Sequence, residues 1–279
     1  MTLLVAVVVG FLAGRLLLAL LGPLLENPFL QRENHRGLVV PTSGGIVVPL
    51  AVVLVEAGRA VAGAAGVGRP AGITPARALV VLAAASFAIL GLVDDLVGSG
   101  HARGFRGHLV ELARGHLTTG GLKLLGGAAT GLVLAGPVDG RAPGRLVADA
   151  ALIALSANLA NQLDRRPGRA LKAASLAFAA LALATRATHT LVAVALAVGA
   201  ALALFRDDLR ERLMIGDAGA NPLGACLGLG LVLTVSFPTR VVALAVVGGL
   251  NLVGEVSSFT RLIDNVPPLR AIDRAGRRP

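Results

Sequence analysis

The chain has 279 residues, of which 55% are hydrophobic and only 15% charged. Soluble domains carry about a quarter charged residues, so this balance excludes an ordinary water-soluble globule. The net charge of +10 points to membrane topology and to anionic lipids or phosphates; no nucleic-acid partner is expected.

Apolar stretches recur along the chain at lengths of ~17–25 residues, what a helix needs to cross a bilayer. Nine are expected, at 2–25, 38–57, 77–96, 122–138, 146–163, 170–186, 189–206, 219–236 and 240–260. The expected fold class is therefore all-α: a polytopic integral membrane protein with about nine transmembrane helices. One transmembrane domain over 1–260 is followed by a basic tail at 261–279. The first segment lacks a basic leader, and its apolar run is too long for a cleaved signal peptide. Tryptophan and tyrosine are absent, so the usual interfacial aromatic belt is missing. The single cysteine, Cys226, excludes an internal disulfide and a cysteine metal cluster.

The loop after the first segment, "RENHRGLVVPTSGG", carries Arg32, His35 and Arg36, then Pro41, Gly44 and Gly45. Its cations suit a lipid head group or a nucleotide phosphate, and its glycines permit close backbone approach. His35 alone also reads as an ordinary polar loop residue. The third segment runs from "FAILGLV" straight into Asp94 and Asp95, and the next charge along the chain is Arg103. A carboxylate in the bilayer centre costs at least ~2.5–3.5 kcal/mol, less near an interface. Adjacent helical residues point about 100° apart, so one carboxylate can face a central site and the other a flank. Two close carboxylates repel unless a cation joins them, and oxygen ligands of this kind select Mg²⁺, or Mn²⁺ in its place, over zinc. A solvated helix end is the plainer alternative.

"NLANQLD" spaces Asn158, Asn161 and Asp164 by three, one polar stripe on an apolar helix. It reads as a site wall or as helix–helix hydrogen bonding. Pro167 and Gly168 then break the helix, and Arg165, Arg166 and Arg169 offer forks suited to phosphate. "FRDDLRERL" holds a second acidic pair, Asp207 and Asp208, with helical spacing to Arg210 and Arg212; it reads as a solvated loop. In "MIGDAGANPLG", Gly216 and Gly219 allow a tight turn around Asp217 at the start of the next helix, where a carboxylate is favoured. Asp217 is thus a site residue or a simple cap.

Eighteen of the 26 Lys and Arg fall in the loops after segments one, three, five and seven and in the tail. Positive charge marks the cytoplasmic side, which places the N-terminus outside and the C-terminus inside. All four polar motifs share that cationic face. The opposite loops are short and nearly featureless.

In this order the motifs resemble the polyprenyl-phosphate N-acetylhexosamine-1-phosphate transferases, the family that includes phospho-N-acetylmuramoyl-pentapeptide transferase, over roughly residues 30–230. Arg32 to His35 with Pro41 to Gly45 is similar to the family's R-x-x-H…P-x-x-GG element, "GLVDDLVG" to G-x-x-DD, "NLANQLD" to the start of N-x-x-N-x-x-DG-x-DG, and "MIGDAGANPLG" to M-G-D-x-G-x-x-x-LG. The resemblance implies transfer of a sugar 1-phosphate from a UDP-sugar to polyprenyl phosphate at the cell membrane, with Mg²⁺ and release of UMP, for cell-envelope glycan synthesis. It implies Asp94, Asp95 and Asp217 as catalytic, Asp217 and Asp94 as metal ligands, and Arg32, His35, Asn158, Asn161 and Asp164 as substrate-binding; Arg36, Arg165, Arg166 and Arg169 are expected to bind substrate on the strength of their own phosphate-suited charge. A homodimer is compatible with it. The chain departs from the family at "DRRPGR", where Pro167 stands at the second Asp position and Arg165 at the first Gly. It also lacks the late histidine cluster, His189 being its last histidine. Arg261, Asp264, Arg270 and Arg274 of the tail either replace those contacts or form a surface helix. A catalytically silent lipid-phosphate binder and an intramembrane prenyltransferase are the competing classes.

Overall fold

The computed structural model describes residues 2–68, 72–98, 104–140 and 142–278. Arg69, Arg103 and Arg141, which enter the charge asymmetry, lie outside the described residues, as does the side chain of Arg106. Helices dominate: α1 (Leu3–Leu25), α2 (Val47–Ala64), α3 (Pro75–Val97), α4 (Gly104–Ala113), α5 (Thr119–Asp139), α6 (Pro143–Leu163) and α7 (Arg169–Ala184) are followed by α8 (Val192–Leu202), α9 (Phe205–Leu209), α10 (Asp217–Thr234), α11 (Phe237–Val256), α12 (Phe259–Asp264) and α13 (Pro267–Arg274). The departure from an all-α chain is a small antiparallel hairpin, β1 (Gln31–Glu33) with β2 (Val39–Pro41), pairing Arg32 with Val40.

Each of the nine expected apolar segments contains a helix, although 38–57 begins on β2; among the described residues, seven stretches are long and apolar enough to cross a membrane. Two expected spans fall short for different reasons. The 16 residues of α7 rise only ~24 Å, less than the ~30 Å hydrocarbon core. The 18 residues of α10 start on Asp217 and Asn221 and are mostly buried against other helices, so this helix needs little apolar surface for lipid. Burial separates the rest as well. The His189–Leu209 stretch is 72% buried and Phe237–Val256 only 11%, so α8 is core and α11 turns its apolar face outward.

Close backbone approach sets the packing of α10. A Cβ at Gly91 of α3 would run into the backbone of Asp217 and Ala218, and Gly45 packs directly on Gly219. Small residues let helices approach this closely inside a membrane, where lipid tails compete with apolar side chains. Residues 41–45 anneal to the 214–216 turn: Met214 N–H donates to the Pro41 carbonyl (2.8 Å), and Gly44 and Gly45 donate back to Met214 (3.1 Å) and Ile215 (2.9 Å).

The end of the bundle opposite the motifs is not featureless. Glu56 of α2 is buried against Arg77 and Arg59. Asp149, fully buried in α6, pairs with Arg240 of α11, which also meets Asp139 at 2.7 Å. These charges sit inside apolar helices, where loop composition does not reveal them.

Gly91→Ala should force α3 and α10 apart and cost about 1–3 kcal/mol, the range for overpacking. Gly58→Ala on α2, with open space around it, should be neutral or slightly stabilising. Thermal unfolding of both variants in detergent checks the pair.

Candidate functional site

The last turn of α3 carries both carboxylates of the acidic pair, and the helical period turns them to different neighbours. Asp95 faces α10. Its Oδ1 accepts the Asp217 N–H at 3.0 Å; its Oδ2 accepts the Ala218 N–H at 3.1 Å and the Ser43 hydroxyl at 2.7 Å. The first N–H groups of a helix lack internal partners, and the N-cap of α10, Gly216, has no side chain to offer. A carboxylate from another helix supplies the cap, where negative charge is favoured. Through these three bonds Asp95 positions the start of α10. Gly216 sits at φ +68°, and a Cβ there would strike Asp95 and Ser43; Asp164 Oδ2 accepts its N–H at 3.1 Å.

This turn aims Asp217 at Asp94, and the two carboxyl groups lie against each other. The cation that the sequence around Asp94 lacks arrives from α5. Lys123 Nζ lies 3.2 Å from Asp94 Oδ2 and in direct contact with Asp217 Oδ2. Only 18–26% of these three side chains is exposed, so the attraction acts with little solvent screening. Lys123 is thus the shared positive partner of the two acids.

Among the described residues no group of three or more His, Cys, Asp or Glu could hold a metal ion. Mg²⁺, however, is commonly bound through one or two carboxylates, with waters and substrate phosphates supplying the other ligands. Asp94 and Asp217 fit that limited role.

Beside the trio opens a cavity of about 380 Å³ between α3, α5, α6, α10 and α11, walled by residues such as Phe87, Leu90, Leu124, Leu155 and Leu252, with Lys123 and Glu255 also on its lining. Asn158, Asn221 and Asn251 line it as well. Asn158 donates to Asn251 Oδ1 (2.6 Å), and Asn251 donates to the Leu155 and Val247 carbonyls at 3.0 and 2.8 Å. Asn161 donates to Asn221 Oδ1 (3.2 Å). The polar stripe of α6 thus joins helices, and at Asn158 it also lines the cavity.

A second, polar pocket of about 260 Å³ lies outside the apolar bundle and brings His35, Arg165, Arg166, Asp164 and Asp208 together. Burial, and then the adjacent Arg166, holds the His35 imidazole below its ordinary range. The guanidinium groups of Arg165 and Arg166 make no hydrogen bond or ion pair among the described residues.

The other expected binding arginines are committed to the fold. Arg32 donates to the Asp95 and Leu96 carbonyls at 3.1 and 3.2 Å, closing the C-terminus of α3. Arg36 pairs with the buried Glu211 at 3.3 Å. Arg169 is buried, and its Nε and Nη2 grip Asp273 of the tail at 2.8 and 3.0 Å.

The second acidic pair is not a solvated loop. Asp207 bonds Arg15 of α1 at 2.7 Å, and Asp208 accepts the Gly168 N–H at 2.6 Å; both are buried. The five residues of α9 end too soon for the expected i,i+3 and i,i+4 pairing; Asp207 keeps Arg212 as a local partner at 3.4 Å, and the remaining contacts are tertiary. The tail is not an independent surface helix either. Lys172 caps the end of α13 through three carbonyls, Ile272, Asp273 and Ala275, at 2.7–2.9 Å.

Sequence reasoning missed Lys123, Asn221, Asn251 and Asp273. The signal for Lys123 was its rarity: the chain has two lysines, Lys123 and Lys172, among 26 cations, and both are anchored.

Lys123→Met should leave Asp94 and Asp217 uncompensated and cost about 3–5 kcal/mol, the range for breaking a buried pair; adding Asp94→Asn should recover part of it, as denaturation curves in detergent will show. The tail provides a pH prediction. Asp273 is pushed up by burial, but the hydrogen bond and charge of Arg169 win and hold it below the usual range. Its stabilisation is therefore present above the unfolded carboxyl pKa of about 3.9 and is lost as pH falls through the lower folded value. Asp273→Asn should mimic that loss at neutral pH and open residues 257–278 to proteolysis, while wild type stays protected.

Neither a known protein family nor a curated protein matches the chain, so its functional reading rests on these residues.

Proposed function

We propose that the protein transfers a sugar 1-phosphate from a UDP-sugar to polyprenyl phosphate, with the site at the cytoplasmic face of the cell membrane. One observation carries the reading: an apolar cavity between membrane helices is lined at one side by Lys123, which touches Asp94 and Asp217. That is the shape of a site for a long isoprenoid ending in a phosphate. The isoprenyl chain lies along Phe87, Leu90, Leu124 and Leu252, and Lys123 meets its phosphate.

Asp217 and Asp94 would hold Mg²⁺, which when bound supplies positive charge for the donor diphosphate. Lys123 neutralises the acceptor phosphate so that two anions can meet. Asp95 and Asp164 fix the backbone of the 216–218 turn, and so the direction of Asp217. His35, Arg165 and Arg166 in the polar pocket receive the donor side. Phosphoryl transfer relies on positioning and charge stabilisation more than on covalent work by the protein, and this inventory suits it.

A second reading has its own support. Lys123 already compensates Asp94 and Asp217, and Pro167 stands where the family has a carboxylate, as a silent lipid-phosphate binder would tolerate. Metal-dependent UMP release from a panel of UDP-sugars, with undecaprenyl phosphate as acceptor, separates the two. Asp217→Asn and Asp94→Asn should each lower turnover at least ~10²-fold, the scale of losing one preorganised charge interaction. Glu26→Gln, on an exposed residue, should leave turnover unchanged. Equal damage from Glu26→Gln would show that the wrong acidic groups were chosen, and no UMP release by wild type with any donor supports the silent binder. The orientation, N-terminus outside and C-terminus inside, is checked by reporter fusions after residues 66, 142 and 279. Only the last should report from the cytoplasm.

A further inference from the structure

The C-terminal tail folds back onto the loop that joins α6 to α7, and a pocket of about 220 Å³ lies between them. Its lining includes Arg166, Arg169, Arg274 and Arg277 against Asp264 and Asp273. We propose that this pocket is a binding site for a phosphate-bearing anion, separate from the Asp94–Lys123–Asp217 trio and sharing only Arg166 with the pocket assigned to the donor.

The charge count comes first. Four guanidinium groups face two carboxylates, a surplus of two, and a phosphate monoester carries about −1.5 to −2 at neutral pH. Crowded cations without counter-charge are costly once partly desolvated, and the surplus sits where the tail covers the loop. Burial, together with neighbouring Arg169 and Arg166, pushes Arg277 down although Asp273 opposes it. The region is electropositive beyond what its own carboxylates balance.

The geometry supplies the second argument. Asp273 organises the wall: it takes Nε and Nη2 of Arg169 at 2.8 and 3.0 Å and Nη2 of Arg277 at 2.6 Å. Arg277 Nε donates to the Pro167 carbonyl at 2.8 Å. Those two guanidinium groups are held in place before any ligand arrives. The other two remain available. The Arg166 guanidinium makes no hydrogen bond or ion pair among the described residues, and Arg274 shares only Nη2 with the half-exposed Asp264, at 2.9 Å. Planar forks of this kind take phosphate oxygens in pairs. The 16-residue α7 also starts at Arg169, so the positive end of its dipole adds to the field. Asp273 is thus a positioning residue, with Arg166 and Arg274 as the arms that contact the anion.

The phosphate can come from a soluble diphosphate or from an anionic lipid head group, and the test has an arm for each. Inorganic pyrophosphate is titrated calorimetrically into the full-length protein in neutral detergent with a chelator present, which removes any contribution of a metal at Asp94 and Asp217. Retention of phosphatidylglycerol is measured after reconstitution in nanodiscs of phosphatidylcholine with a phosphatidylglycerol fraction. Arg166→Gln and Arg274→Gln should each weaken pyrophosphate binding, lipid retention or both at least tenfold, with unchanged melting temperature. Arg278→Gln, on the same tail but outside the pocket, should change neither. Loss of pyrophosphate binding alone identifies a soluble ligand, and loss of lipid retention alone a head group. Unchanged values in both arms, or an equal loss in Arg278→Gln, overturn the site. Asp217→Asn protein should bind the probes as wild type does. Arg274 lines only the tail pocket, so a loss in Arg166→Gln with none in Arg274→Gln places the anion in the donor-side pocket and overturns the site, whereas a failed transferase assay leaves it standing.

Discussion

A carboxylate buried among apolar helices must find hydrogen-bond donors or a cation, because neither lipid nor side chains of leucine and alanine can solvate it. Asp95 meets that constraint by capping α10, taking the N–H groups of Asp217 and Ala218 and the hydroxyl of Ser43. Three segments far apart in the chain are tied by one side chain. The start of α10 is thereby fixed, Asp217 is delivered to Asp94, and Lys123 finds both. Gly91 and Gly45 serve the same end, since a side chain at either would hold α10 away from its neighbours.

Around that anchor the charged residues divide into two groups. Most are consumed by the fold: Arg32 closes α3, Glu211 ties the hairpin to the 207–214 region, and Asp208 holds the Gly168 turn. A smaller set keeps unspent capacity. The trio of Asp94, Asp217 and Lys123 lies beside an apolar cavity, and Arg165 and Arg166 face a polar pocket. An amphiphilic ligand with a charged head needs this adjacency of an oily space and a charged cluster, and the proposed lipid chemistry rests on it. At the opposite end of the bundle Asp149 finds Arg240 by the same rule, although Asp149 Oδ1 and Arg240 Nε stay buried without a hydrogen-bond partner.

The tail shows how a substituted motif can be absorbed. At "DRRPGR" two arginines and a proline follow Asp164 where the helix ends. Arg169 and Lys172 then hold Asp273 and the end of α13, so the tail becomes a wall of the loop rather than a free surface segment.

The amino-acid sequence by itself determined the nine apolar helical segments, because hydrophobic length is a local property that the chain displays openly. It also marked Asp94, Asp95, Asn158, Asn161, Asp164 and Asp217 as needing explanation, since each interrupts or ends an apolar run, but not Asn221, Asn251, Glu56 or Asp149. Tertiary structure alone decided the partners. Lys123 and Asp217 are 94 positions apart, and Arg169 and Asp273 are 104 apart; no periodicity links such pairs. Packing also decided that Asp95 caps a helix while its neighbour Asp94 faces the site, and that Asp207 and Asp208 are buried although their spacing suggested a solvated helix. The shortness of α7 and the polar start of α10 are tolerated because neighbouring helices cover surface that would otherwise face lipid. Local sequence records how apolar a segment is, whereas the burial of a charge depends on what the rest of the chain brings to it.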